Sequence, residues 1–152
     1  MNIKMTAMAH AQIKSLLIAF APLLFSQAGA IPELDNEGLH TEPWFNEPAG
    51  DLSKDLAAAT AEDKTLAIFW EQPGCHFCQK MHEVNLKGEG TVHFIRKNFY
   101  VILLNIRGER QMIDFDGSAM SVSKLAHSHR VAGTPTIEFL DDPADEVFRM
   151  PG

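Results

Sequence analysis

The chain is short of positive charge, of cysteine and of long apolar runs, and each shortage removes a class of protein. Against 20 Asp plus Glu there are 13 Lys plus Arg, a formal charge of −7. The cationic footprint that nonspecific binding to nucleic acid or to an anionic membrane requires is therefore missing. Two cysteines, Cys75 and Cys78, are too few for a disulfide-stapled mini-protein and leave one intramolecular pair. The longest apolar run, Leu16 to Phe25, is about half the ~20 residues that a helix needs to cross a bilayer. There is no internal repeat and no low-complexity tract. At 152 residues and 45% hydrophobic content, the expectation is one small domain with its own core.

Acidic residues are absent from Met1 to Ala30, which carries Lys4 and Lys14; all of the acids lie beyond it. A basic start, the apolar run and the small-residue ending Ala28-Gly29-Ala30 have the order of a secretory signal peptide, with cleavage expected after Ala30. Pro22 inside the run and the missing polar face count against a buried first helix. Export gives a periplasmic location, with no membrane span once the signal is cleaved, and a compartment in which the two cysteines can be oxidised.

Ile31 to Glu47, with Pro32 and Pro43 and little periodicity, reads as an extended lead-in, and residues 48–152 as the domain. Asp51 suits a helix cap ahead of Leu52, Leu56 and Ala59. Thr65 to Trp70 and Tyr100 to Ile106 are continuously apolar and read as strands buried on both faces. Between them Cys75 to Lys87 and Val92 to Asn98 read as helices. Arg107 to Ser121 is polar and reads as an inserted loop, Val122 to His129 as a helix, and Thr136–Leu140 with Glu146–Met150 as a hairpin. That order predicts an α/β fold with a central mixed sheet flanked by helices. The sequence stops at Gly152 directly after the last strand, so a helix over one sheet face is expected to be missing and the chain to be C-terminally truncated.

Cys75-His76-Phe77-Cys78 follows a buried strand and opens a helix. There the first cysteine meets free backbone N–H groups and the positive end of the helix dipole, which favour thiolate. Cys75 is thus the expected nucleophile, and Cys78, one turn on, the resolving thiol. A purely structural disulfide is the bland alternative, but a loop this short removes little unfolded-chain entropy. A copper or zinc site using the pair with His76, Met81 or His82 is a second alternative, although a lone C-x-x-C supplies two ligands only. The rival function from another class is a periplasmic copper-binding chaperone that uses Cys75, Cys78 and a nearby His or Met without turnover. Covalent haem is excluded because position 79 is Gln79 rather than His. No cofactor and no resident metal are expected. Gly133-Thr134-Pro135-Thr136 before a strand suggests a cis Thr134–Pro135 bond.

Phe69-Trp70, Cys75-x-x-Cys78 and Gly133-Thr134-Pro135-Thr136 together resemble the thioredoxin superfamily, over most of residues 48 to 150. Glu71-Gln72-Pro73-Gly74-Cys75, Lys80-Met81-His82, Asn105-Ile106-Arg107-Gly108 and Asp114-Phe115-Asp116-Gly117 are similar to the periplasmic SoxW-like thioredoxins. The resemblance implies a thioredoxin-like fold, here without its final helix, and a disulfide reductase that exchanges with disulfide-containing periplasmic proteins. It also implies a membrane-linked thiol donor that restores the dithiol. Thr134 and Pro135 would then offer backbone hydrogen bonds to a substrate peptide, with Trp70, Pro73, His76 and Phe77 around it. Cytoplasmic thioredoxins have Gly-Pro between the cysteines, so their reducing potential does not carry over to His76-Phe77. They also place a buried Asp six residues before the first cysteine, where this chain has Phe69; Glu71, at the strand end, reads as a solvated acid rather than its replacement. His76 either stabilises the Cys75 thiolate as an imidazolium or is an exposed residue that shapes access. His82, His93, His127 and His129 are expected to be surface or satisfied polar groups without a role.

Overall fold

A computed structural model describes residues 33–152. The expected leader, its cleavage point and the first two residues of the lead-in lie outside the described residues. Most of the lead-in is irregular, as its prolines dictate, but it holds two short antiparallel strands, β1 (Glu33–Leu34) and β2 (His40–Thr41). It is anchored to the domain through buried Leu39 and a bridge from Asn46 to Ile102.

Helix α1 (Leu52–Ala61) starts at Asp51, whose carboxylate accepts the Ser53 N–H at 3.0 Å and so satisfies one free donor of the first turn. Leu52, Asp55, Leu56 and Ala59 recur at helical spacing and form its buried side. Strands β3 (Thr65–Glu71) and β4 (Phe99–Asn105) run parallel, in register from Thr65 against Phe99 to Glu71 against Asn105. Between them lie α2 (His76–Lys80), which passes without a break into a π-helical turn at Met81–Asn85, and α3 (Glu89–Asn98). The stretch expected as one helix from Cys75 to Lys87 is thus two, and the widened turn carries His82 to a fully buried position.

The expected loop from Arg107 to Ser121 contains a hairpin, β5 (Gln111–Ile113) and β6 (Ala119–Ser121). Three-residue strands are too short to show a period, and only Met112 of β5 reaches the core. Helix α4 (Val122–Ser128) follows, then β7 (Thr136–Asp141) antiparallel to β3, and β8 (Asp145–Met150) antiparallel to β7. The main sheet has the order β4-β3-β7-β8. The fold is therefore the expected mixed sheet flanked by helices, joined by crossovers.

Strand alternation divides the core. Leu66, Ile68 and Trp70 face α1, α4 and the hairpin, packed with Ile102, Leu104, Met112 and Leu125. Ala67 and Phe69 face the other way, toward Leu39, Leu86, Val101 and Leu103. Each fully buried large side chain contributes about 1.5–3 kcal/mol against its exposed state, which outweighs the ordering of these short elements only in sum. On the second face a groove of about 600 Å³ runs between Phe94 of α3 and Ile137, Phe139 and Met150 of the last two strands, ending at Phe77 and Pro135. No helix among the described residues is long and apolar enough to cross a membrane.

Candidate active site

β3 delivers the chain to the site, and both of its last two residues are tied down beneath it. After Glu71 the backbone turns at Gln72–Gly74, the Cys75 N–H donating to the Gln72 carbonyl at 3.2 Å. Gly74 sits at φ +71°, a left-handed conformation that costs a residue with a Cβ about 1–2 kcal/mol. Cys75 then has extended backbone and caps α2: its Sγ accepts the Cys78 N–H at 3.1 Å and its carbonyl accepts the Gln79 N–H at 3.0 Å. The two cysteines are joined as a disulfide with Cα atoms 5.2 Å apart. Cys78 is wholly buried and Cys75 is 6% exposed, so an approaching partner meets Cys75 first.

The segment between α4 and β7 closes over the pair. Thr134 Oγ1 donates to Cys75 Sγ at 3.3 Å, and the Thr134 carbonyl oxygen lies 3.5 Å from the same sulfur. The Thr134–Pro135 bond is cis, as the sequence suggests, and Thr136 Oγ1 donates to the Gly133 carbonyl at 2.8 Å to hold the turn. Phe77 is 72% exposed beside this turn, edge-to-face with exposed His76 at a centroid distance of 6.0 Å. Pro73 is exposed as well.

Trp70 does not belong to that surface, and this corrects the expectation for it. It is 0% exposed, on the opposite sheet face from Phe69, and its indole N–H donates to Glu138 Oε2 at 3.0 Å. A strand buried on both faces gives no sequence signal for which residue points to the site.

Two histidines expected to be incidental are the centres of buried polar arrays, one on each face of the sheet. His82 has Nδ1 3.1 Å from Glu42 Oε1 and Nε2 2.9 Å from Glu71 Oε1, with Lys87 Nζ 3.6 Å from Glu42. Glu71 is fully buried rather than solvated, and its Oε2 has no partner. His82 follows Cys78 by four residues, which places both on the inner side of the same helical segment. That spacing was the one available signal for it. On the other face His129 has Nδ1 at 2.9 and 3.0 Å from the two Glu138 oxygens and Nε2 3.1 Å from Asp114 Oδ1. Arg149 Nη2 donates to Glu138 Oε1 at 3.0 Å. His93 and His127 are exposed, as expected.

His82, which a metal reading would enlist with His76 and Met81, has both ring nitrogens on carboxylates. Among the described residues no group of three or more His, Cys, Asp or Glu side chains is placed to hold a metal ion.

A family model described as a thioredoxin-like domain matches residues 52–152. A thioredoxin from Thermus thermophilus superposes with a TM-score of 0.53 at 24% identity, over 71% of this chain and 75% of that one. A structure described as the DsbH oxidoreductase superposes with a TM-score of 0.52 at 14% identity, over 80% of this chain and 81% of that one. At such identities the likeness to both is one of fold. No curated protein matches the chain.

Proposed function

The chain belongs to the thioredoxin-like domain family, and on that premise we propose that it is an exported thiol–disulfide oxidoreductase working as a disulfide reductase. The observation that carries the reading is the setting of Cys75. It is the more accessible member of a buried pair, it caps a helix through the Cys78 N–H, and Thr134 reaches its sulfur from the facing segment. Those N–H and O–H donors stabilise negative charge on Sγ, the form that attacks a disulfide.

In the reduced protein the Cys75 thiolate attacks one sulfur of a substrate disulfide. The Cys75–substrate sulfur bond forms, the substrate S–S bond breaks, and the leaving thiolate takes a proton. Cys78 then loses its proton and attacks Cys75 Sγ, which gives the Cys75–Cys78 disulfide and releases the second substrate thiol. Two electrons pass to the substrate, and a membrane-linked thiol donor returns them. Burial of Cys78 keeps it as a thiol until the mixed disulfide is in place.

Thr134 and Pro135 supply backbone groups to an extended substrate segment, and Phe77 and Pro73 the apolar surround. His76 is exposed, so solvent and salt screen its charge from the sulfur, and its main effect is on access. The specificity of the SoxW-like motifs, together with the leader composition, supports periplasmic proteins as substrates.

A Cys78→Ser variant tests the order of attack. Mixed with a small aromatic disulfide, its Cys75 is expected to hold a stable adduct detectable by mass, because no second thiol can displace it. An adduct on Cys78 in a Cys75→Ser variant, with none on Cys75 in the Cys78→Ser variant, would reverse the roles.

A further inference from the structure

The array around His129 is built across the two segments that carry the site. His129 is the C-cap of α4, six residues before Pro135, and Glu138 lies three residues after Pro135 in β7, so their pairing closes the segment that holds Thr134 against Cys75. Glu138 Oε2 also accepts the Trp70 indole N–H, and Trp70 precedes Cys75 by five residues on β3. From the inserted hairpin Asp114 reaches the second ring nitrogen, and the His129 ring lies 5.6 Å from that of Trp70 and 6.2 Å from that of Phe115. From β8 Arg149 faces Glu138, itself held by Glu146. Arg130 lines the same cleft.

Ionised carboxylates only accept hydrogen bonds. With one on each ring nitrogen, His129 completes both bonds only as the imidazolium. Its side chain is 10% exposed at a cleft of about 500 Å³, so its proton exchanges with solvent.

Resting on the oxidoreductase reading above, we propose that His129 is a positioning residue: as an imidazolium clamped between Glu138 and Asp114, it holds the Thr134–Pro135 turn against Cys75, and its deprotonation loosens that turn and slows exchange. Burial pulls the imidazolium down, but the hydrogen bonds and charges of Glu138 and Asp114 outweigh it, and the net shift is upward from 6.5. A histidine raised on folding stabilises the native state fully below its unfolded value, and that contribution is lost as pH rises through the higher folded value. The clamp is therefore closed in mildly acidic solution and opens on the alkaline side.

The test is the ratio of wild-type to His129→Gln kcat/KM for disulfide reduction across the near-neutral range. The Thr134 hydroxyl that the clamp holds also stabilises the Cys75 thiolate, so the thiolate fraction of each protein is measured by its thiolate absorbance at every pH and divided out of the ratio. The ratio is expected to reach about tenfold at acidic pH, the scale of a small misplacement of reacting groups, and to fall toward one as His129 loses its proton. Asp114→Asn, which keeps the Glu138 pair but removes the second carboxylate, is expected to move that fall to lower pH. It also serves should His129→Gln fold poorly. A residue that only stabilised the fold would lower the urea midpoint of the variants and leave the ratio flat. An active wild type with a flat ratio, or a fall unmoved by Asp114→Asn, overturns the clamp alone; a wild type inactive at every pH overturns the oxidoreductase reading and the clamp with it.

Discussion

Cys75→Ser is expected to lose at least about a thousandfold in turnover of a disulfide substrate, the scale of loss when an enzyme's nucleophile is removed, while the protein stays folded. The chemical half of that expectation follows from electrons. A serine hydroxyl at the same position is not ionised near neutrality and cannot form the mixed disulfide through which two electrons pass. The structural half follows from the loop that the disulfide closes. Cys75 and Cys78 are three residues apart, so the bond removes little entropy from the unfolded chain and its loss costs little stability. Serine also keeps an oxygen able to accept the Cys78 N–H at the helix start. Residual turnover within tenfold of wild type, in a sample with an unchanged urea midpoint, would show that Cys75 is not the attacking group.

The second large effect is expected far from any reacting atom. His82→Ala should lower the unfolding free energy by about 3–5 kcal/mol, the typical cost of leaving a buried charge without its partner. Glu71 lies wholly inside, and Glu42 nearly so. Without the imidazole, Glu71 Oε1 joins Oε2 in having no partner, and Glu42 keeps only the Lys87 ammonium at 3.6 Å. For a small domain with about 5–15 kcal/mol in total, that is a large fraction. His82→Gln, which keeps a single donor amide, should fall between the two. Chemical denaturation at neutral pH measures all three. A His82→Ala midpoint within about 1 kcal/mol of wild type would mean that the two carboxylates find other partners and that the array is not a load on the fold.

How far the sequence reaches is set by the separation of the interacting residues. β3, β4 and α1 are legible because each carries its own pattern: an unbroken apolar run, or apolar positions at helical spacing behind a capping Asp. The cysteine pair is legible from four consecutive residues, and the Thr134–Pro135 turn from its place ahead of a strand. What escapes is long-range and polar. Glu42 meets His82 across 40 residues of sequence, and Trp70 meets Glu138 across 68. Neither histidine ring has a hydrogen-bond partner within a helical turn, and only the four-residue spacing from Cys78 marks His82 as facing inward. Glu71 looks like an ordinary strand-end acid until the lead-in and the π turn are folded over it. The hairpin escapes for another reason, since three-residue strands carry too few positions for alternation to show.

The two arrays also explain why the reacting sulfur can sit on a short loop and still be held in place. Trp70 and Glu71 are neighbours on β3, yet their side chains engage opposite faces, one through Glu138 and one through His82. The strand end that launches the Gln72–Gly74 turn is thereby fixed from both sides. A site carried on a loop gains its precision from the rigid elements beneath it.

The account is tested most directly by the equilibrium of the Cys75–Cys78 pair against glutathione buffers, read with turnover of a disulfide substrate. A reductase requires a potential toward the reducing end, about −270 mV, with turnover lost in Cys75→Ser. A potential near about −120 mV would make the protein an oxidant and contradict the direction proposed here; a folded protein that exchanges with no disulfide at all would contradict the chemistry itself.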